Sequence, residues 1–116
     1  MNKSRRKLLE GVVSTMRKLK DMENNNHTLD VIKQAADDLE RAQDEEQDAY
    51  DNLPENLMWS DKADTMADNL DNLLDAMCDM GLVVEAYEIN SDNPYHNVEK
   101  EVLSVIQNCT KAIERV

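Results

Sequence analysis

One apolar stripe, which runs from residue 63 to residue 87, constrains this chain more than any other feature. Its apolar residues recur at intervals of three and four without interruption, and this spacing places them on one face of a helix. These residues are Ala63, Met66, Leu70, Leu73, Met77, Met80, Val84 and Tyr87, and Ala67 and Leu74 widen the stripe. The pattern predicts a bundle helix with coiled-coil-like packing.

The outward positions of the same segment carry regularly spaced aspartates, which we call the Asp ladder. They are Asp61, Asp64, Asp68, Asp71 and Asp75. Asp is a poorer helix former than Glu, so this composition disfavours the helix if solubility is its only purpose. Successive carboxylates on such a face lie about 5–6 Å apart, near the ~7 Å repeat of phosphates along one DNA strand. The ladder is either a solvated bundle surface or a face that imitates phosphates.

Breaks and caps divide the chain into four helices of a single domain that spans residues 1–116. The predicted helices cover about 4–22, 28–52, 60–88 and 94–115. Their predicted N-caps are Ser4, Thr28, Ser60 and Asn93, with Asn97 as an alternative to Asn93. We therefore predict an all-α fold, an antiparallel helical hairpin that is extended to a three- or four-helix bundle.

The predicted turn of the central hairpin is residues 52–59, with the sequence NLPENLMW. Pro54 disfavours the helical backbone conformation for the preceding residue and so ends the second helix. We expect three apolar side chains of this turn to seal the open end of the hairpin. They are Leu53, Leu57 and Trp59.

The second helix carries one charge within its apolar seam. The seam residues are Ile32, Ala35, Leu39, Ala42, Glu46, Ala49 and Leu53. A turn centred near residue 56 opposes Glu46 to Met66 and Leu39 to Leu73 in the third helix. Glu46 is either a buried acid with a role or a residue whose stem packs while its head reaches water. We expect the second arrangement.

The segment after Gly81, LVVEAYEI, is apolar on nearly every side. Val and Ile favour strands, but a lone strand is not stable, so we predict that the helix continues to about Glu88. The last helix is expected to cover the extra apolar faces. Its stripe is Val98, Val102, Val105, Ile106, Cys109, Ile113 and Val116.

The formal net charge of −12 is distributed unevenly along the chain. Residues 1–20 balance at +6, residues 21–92 at −18 and residues 93–116 at zero. We expect the basic first helix to lie along the acidic ones and to neutralise part of their field. The acidic middle repels phosphate, so direct binding of nucleic acid is disfavoured and a basic partner is favoured.

The sequence lacks the residue patterns that several classes of protein require. The soft metal ligands are His27, His96, Cys78 and Cys109. Because their spacing fits no metal-binding motif, we predict that the protein holds no metal or cofactor. We expect the thiols of both cysteines to lie in the core. There is no Ser/His/Asp arrangement, no Gly-rich phosphate loop and no paired catalytic carboxylates with a His, so we predict that the protein is not an enzyme. No apolar run reaches the ~18 residues of a membrane span, and no signal peptide is recognisable. These features predict a cytoplasmic protein without a membrane partner.

The stretch DEEQDAYDNLPENLMWS combines an acidic helix end, an aromatic residue, an NLPENL turn and a Ser cap. A basic start of the form RRKxL, here Arg5, Arg6, Lys7 and Leu9, accompanies it. This combination resembles small acidic helical-hairpin proteins encoded by bacteriophages and mobile elements, over residues 4–20 and 44–80. The chain departs from them in the break at residues 24–27 and in its C-terminal helix. The resemblance implies accessory phage or prophage biology in the host cell, and no particular activity.

Two functions follow as hypotheses. In the first, the chain binds a basic or nucleic-acid-binding host protein, as a nucleic-acid mimic or anti-defence inhibitor. The binding residues would be the Asp ladder (Asp61, Asp64, Asp68, Asp71 and Asp75) together with Asp44 and Asp48. In the second, the chain is a structural or scaffolding protein that forms a homodimer or larger homo-oligomer through apolar faces around residues 82–89 and 98–116.

Overall fold

The chain folds into a bundle of helices in a computed structural model, which describes residues 2–89 and 94–114. The helices are α1 (Lys3–Lys18), α2 (Asn26–Asp51), α3 (Asp61–Glu88), α4 (Pro94–Asn97) and α5 (Glu99–Glu114). Short 3₁₀ turns occur at Leu19–Asp21 and Glu55–Leu57. No strand occurs within the described ranges, and the predicted all-α bundle is confirmed.

The four long helices form a closed ring of contacts. α2 packs against α1 and α3, and α5 packs against α3 and α1, while the short α4 packs against α3. The bundle measures 53 × 21 × 19 Å. At a rise of 1.5 Å per residue, α2 and α3 are each about 40 Å long, whereas α1 and α5 are about 24 Å long. The hairpin of α2 and α3 is therefore the frame on which the shorter helices pack.

Helix α3 begins where the sequence predicts. The hydroxyl oxygen of Ser60 accepts a hydrogen bond from the backbone N–H of Ala63 at 3.3 Å. Asp61 and Asp64 lie in the first turn, where carboxylates complement the positive end of the helix dipole. The cap and the dipole together fix the start of the Asp ladder.

Helices α1 and α2 begin slightly earlier than predicted, because asparagines supply their caps. The Asn2 side chain accepts from the N–H of Arg5 at 2.8 Å, so Ser4 lies inside the helix. The Asn25 side chain accepts from the N–H of Thr28 at 2.9 Å, so Thr28 is a helical residue and not the cap. Asn and Ser or Thr are comparable N-caps, and the sequence offers both at each end.

The C-terminal helix is divided near Val98. The N–H of Val98 donates to the carbonyl of Tyr95 at 3.2 Å, and the N–H of Val102 donates to the carbonyl of Val98 at 2.9 Å. The predicted helix 94–115 is thus α4 followed directly by α5. The predicted cap Asn93 and the stripe residue Val116 lie outside the described residues.

Helix α3 passes through Gly81 without a break. It continues to Glu88, and this confirms the prediction of helix over the LVVEAYEI segment. Gly81 is exposed, and a Cβ atom built on it meets no heavy atom within 4 Å. The glycine is therefore not required by close packing or by an unusual backbone conformation.

One continuous apolar cluster, which we call the main core, draws on α1, α2, α3 and α5. Its residues in the central hairpin are Ile32, Ala35, Leu39, Ala42, Leu73, Ala76, Met80, Val83 and Tyr87. Val83 and Ala76 are fully buried while Leu74 is 47% exposed, so the buried stripe of α3 is rotated away from the predicted Leu74 flank. The rotation follows from the packing of α5 against α3, which covers the opposite flank.

The turn that connects α2 to α3 does not form the predicted apolar plug. Trp59 is 93% exposed and Met58 is 53% exposed, while Leu53 and Leu57 are half-buried. The turn is closed by its own hydrogen bonds, which include Leu57 N–H to the Pro54 carbonyl at 2.8 Å. The turn is thus ordered without the predicted apolar contacts, and the Trp59 side chain lies in solvent.

The two cysteines occupy different environments. Cys109 is fully buried in the main core, as predicted. Cys78 is exposed, and the prediction that it belongs to the core is wrong. Cys78 lies one helical turn after Leu74, on the flank of α3 that the rotated stripe leaves in solvent.

Candidate functional site

The Asp ladder lies on the solvent side of α3. All five of its residues are exposed: Asp61, Asp64, Asp68, Asp71 and Asp75. Because α3 is unbroken from Asp61 to Glu88, the intervals of three and four residues keep the carboxylates on one face. From its first to its last residue the ladder extends about 21 Å along the helix axis.

Positive charge is scarce along this helix. Lys62 is the one Lys or Arg between residues 61 and 88. It is exposed, and it lines a cavity together with Arg5, Glu46 and the first ladder residue, Asp61. The outward face of α3 is consequently a strip of negative potential.

The remaining predicted site residues, Asp44 and Asp48, are exposed on α2. Both lie in the half of α2 nearest the turn, as the ladder lies in the half of α3 nearest the turn. The seven predicted residues thus occupy two adjacent helices near one end of the hairpin. They are a divided acidic surface and not a single row.

Sequence reasoning missed Trp59 as a functional candidate. It predicted burial because a large aromatic side chain normally buries 150–250 Å². The signal that could have identified it is its position, in a short turn between two highly charged helices. The end of a hairpin has no third element beside it unless another helix reaches that far.

Glu46 is fully buried, which corrects the expectation that its head reaches water. Its Oε2 atom accepts a hydrogen bond from the side-chain amide of Asn69 at 3.3 Å. Its Oε1 atom lies 3.4 Å from Nη2 of Arg5, and the Arg5 side chain is itself largely buried. The head is covered because the first turn of α1 packs over α2 and brings the countercharge with it.

A cavity of about 570 Å³ lies next to this ion pair. Its lining residues are Asn2, Arg5, Glu46, Asp61, Lys62, Thr65 and Met66. Glu46 and Met66 therefore face the same space, in agreement with the predicted register of the hairpin. The lining carries both signs of charge, and Arg5 and Asn69 already engage the Glu46 carboxylate. This geometry indicates a structural ion pair more than a catalytic acid.

Burial also disfavours the ionised, nucleophilic forms of two side chains, Cys109 and Tyr87. It raises the pKa of the Cys109 thiol to about 12. Burial, together with the neighbouring Tyr95, raises the pKa of Tyr87. Both groups are held in their neutral forms at physiological pH.

Two kinds of feature are absent from residues 2–89 and 94–114. No group of three or more His, Cys, Asp or Glu side chains there could hold a metal ion. No helix there is both long and apolar enough to span a membrane.

Comparison with known proteins gives no match to a protein-family model, to a curated protein or to a solved structure.

Proposed function

We propose that this chain is a non-enzymatic accessory protein, of the phage or mobile-element type, that binds the basic surface of a host nucleic-acid-handling protein. One observation carries the proposal: five aspartates are exposed along one face of an unbroken helix that contains a single Lys or Arg, Lys62. Asp61 and Asp64 also complement the helix dipole, but Asp68, Asp71 and Asp75 lie beyond the first turn, where Asp is a poorer helix former than Glu.

The electrostatics of the ladder define the kind of partner. A strip of one charge sign speeds the encounter with a surface of opposite sign and repels nucleic acid. Measured along the helix axis, the Asp ladder carries about one charge per 5 Å, whereas one DNA strand carries one charge per 3.4 Å of the axis of the duplex. We therefore expect the chain to compete with nucleic acid for the same surface, with an affinity that falls steeply as salt is added.

Self-association is the second candidate function, and a specific observation supports it. Leu82 is 49% exposed and Ile89 is 69% exposed on α3. However, the packing of α1, α3 and α5 against one another buries much of the apolar surface that suggested an oligomer, including Val83, Val102 and Val105. Leu103 on α5 is also 48% exposed. Because the chain carries a net charge of −12, two copies repel each other, and we rank partner binding first.

Affinity capture from a nuclease-treated host lysate at low salt tests the proposal. The bait is the wild type or a ladder variant, Asp64→Asn, Asp68→Asn, Asp71→Asn and Asp75→Asn together. A matched control removes four charges elsewhere, by Asp30→Asn, Asp37→Asn, Glu40→Gln and Glu99→Gln, all of which are exposed. The control distinguishes the ladder from general acidity.

We expect the wild type and the control to retain a nucleic-acid-binding protein that the ladder variant does not retain. Double-stranded DNA or RNA should displace that protein from the bait. Equal capture by the ladder variant, or capture that nucleic acid does not compete, would contradict the proposal. Light scattering at about 100 µM addresses the second candidate, because a strict monomer is incompatible with an obligate oligomer.

A further inference from the structure

The turn between α2 and α3, residues 52–60, presents the only tryptophan of the chain to solvent. We call these residues the hairpin tip. Trp59 is 93% exposed, and the adjacent Met58 is 53% exposed. Trp is rare on free surfaces and is enriched among the residues that dominate binding energy at protein interfaces. Met adapts its shape to a partner surface.

The backbone of the hairpin tip holds Trp59 in a defined position. The N–H of Ser60 donates to the carbonyl of Leu57 at 3.1 Å, and the Ser60 hydroxyl donates to the same carbonyl at 2.6 Å. Ser60 also caps α3, so the residue after Trp59 is fixed to the helix. A side chain presented on an ordered turn loses less conformational entropy on binding than one on a flexible loop.

The charge around the hairpin tip determines what can bind there. Residues 44–64 contain eight carboxylates and one cation, Lys62, although Glu46 is buried against Arg5 and Glu45 pairs with Arg41. The carboxylates are Asp44, Glu45, Glu46, Asp48, Asp51, Glu55, Asp61 and Asp64. Anionic lipid and a second copy of the same tip are both repelled, whereas Lys and Arg side chains are attracted. A cation placed over the indole ring gains a further attraction.

We propose that the hairpin tip is an anchor, and that Trp59 inserts into an apolar pocket framed by Lys or Arg on a basic partner protein. The inference rests on the proposed function and deepens it. The Asp ladder supplies long-range attraction, and the hairpin tip supplies the apolar contact that long-range attraction lacks. The two together form a footprint that continues from the turn along the first half of α3.

Binding of the purified, captured protein to wild type and to Trp59→Ala tests the anchor. The matched control is Ile89→Ala, which removes another exposed apolar side chain at the far end of α3. Circular dichroism melts of both variants establish that they fold as the wild type does. Because Trp59 is the single tryptophan of this chain, its emission also reports directly whether the tip leaves water when a tryptophan-free form of the partner binds.

We expect Trp59→Ala to weaken binding by about thirtyfold or more, the loss typical of an interface hot spot. Ile89→Ala should bind within about threefold of wild type, and wild-type emission should shift to shorter wavelength on binding. If Trp59→Ala binds like wild type while the ladder variant does not, the anchor is overturned and the proposed function stands. If the ladder variant binds like wild type while Trp59→Ala does not, the proposed function is overturned and Trp59 is retained as the contact.

Two other occupants of the tip are tested by the same fluorescence signal. A blue shift with vesicles that contain phosphatidylglycerol would assign the tip to lipid and overturn the proposal. A blue shift that depends only on protein concentration would assign it to a second copy, with the same consequence. Failure of wild type to capture any protein would overturn the anchor together with the function on which it rests.

Discussion

The two ends of the central hairpin are built from the same pair of helices but are stabilised differently. From the midpoint of the hairpin, at Leu39 and Leu73, to the end away from the turn, residues of α1 and α5 join the main core. At the end near the turn, residues 43–72 contribute nothing to that core, and the pair is crossed by the polar contact of Glu46 with Asn69 and Arg5. Ala63, Met66 and Leu70 are buried near the turn as well, but they do not belong to the main core.

Under the proposed function, this difference places stability and partner binding in different parts of one hairpin. Apolar burial, the main favourable term in folding, is concentrated where four helices meet. The Asp ladder starts at the other end, and the hairpin tip lies beyond it. Substitutions at the surface near the turn should therefore alter binding with little effect on stability, and core substitutions should do the reverse.

The largest effect expected near the turn comes from breaking the buried ion pair. Arg5→Met leaves the Glu46 carboxylate buried without its countercharge, so we expect the free energy of unfolding to fall by about 3–5 kcal/mol. The double variant Arg5→Met, Glu46→Met should recover most of that loss, because two apolar side chains replace the two charges. Urea denaturation of both single variants and the double variant measures the coupling. An Arg5→Met variant as stable as wild type would show that the ion pair contributes no stability.

A substitution in the main core tests which face of α3 is buried. Leu73 is fully buried in the main core, so Leu73→Ala should lower the free energy of unfolding by about 2–5 kcal/mol through lost burial and a cavity. Asp71→Ala, two positions away on the exposed face, should be neutral or slightly stabilising. Thermal melts compare the two variants. Equal losses would mean that the seam lies on a different face of α3.

The pH dependence of stability reports on the main core through Cys109. Its pKa of about 12 in the folded chain exceeds the value of about 8.5 expected after unfolding. The neutral thiol therefore contributes fully below about pH 8.5. Between that pH and about 12 the unfolded state loses a proton that the folded state keeps, and stability falls by about 1.4 kcal/mol per pH unit.

Replacement of Cys109 by Val should remove this component of the slope. Urea denaturation between pH 9 and 11 measures it, with Cys78→Ser as the control because Cys78 is exposed. Identical slopes for wild type and Cys109→Val would contradict the burial of the thiol.

The smallest predicted effect concerns the outward side of α3 and is stabilising. Gly81 lies in open space within a continuous helix, so Gly81→Ala should raise the free energy of unfolding by about 0.5–1 kcal/mol. Gly11, at an equivalent open position in α1, offers a matched second variant. Thermal melts of both variants check the prediction. A loss of stability for Gly81→Ala would imply that α3 bends or opens at this residue.

The extent of the helices follows from the sequence because its determinants are local. Ser60 caps α3, and the intervals of three and four residues specify both the buried stripe and the exposed ladder. The continuation of helix past Gly81 also follows, since a strand there would have had no partner. Each of these features depends on residues within a few turns of one another.

The features that could not be predicted from the sequence are the burial of Glu46 and the exposure of Cys78 and Trp59. They depend on how the helices pack against one another. Glu46 is buried only because α1 crosses it with Arg5, and Cys78 is exposed because α5 packs on the other flank of α3. Trp59 is exposed even though the start of α1 lies beside the adjacent Asp61 and Lys62. Periodicity within one helix carries no information about the lengths and positions of its neighbours.

The ring of helix contacts also implies an order of assembly. Each long helix packs on the next one along the chain, and only the contact between α1 and α5 joins distant segments. The nine residues between α2 and α3 close a short loop, whereas the meeting of α1 with α5 must close nearly the whole chain. Local contacts form faster than distant ones, so the central hairpin is expected to nucleate folding and the α1–α5 seam to close last. The same seam, at the chain ends, is where the native protein should open first, and such an opening leaves the Asp ladder and Trp59 on an intact hairpin.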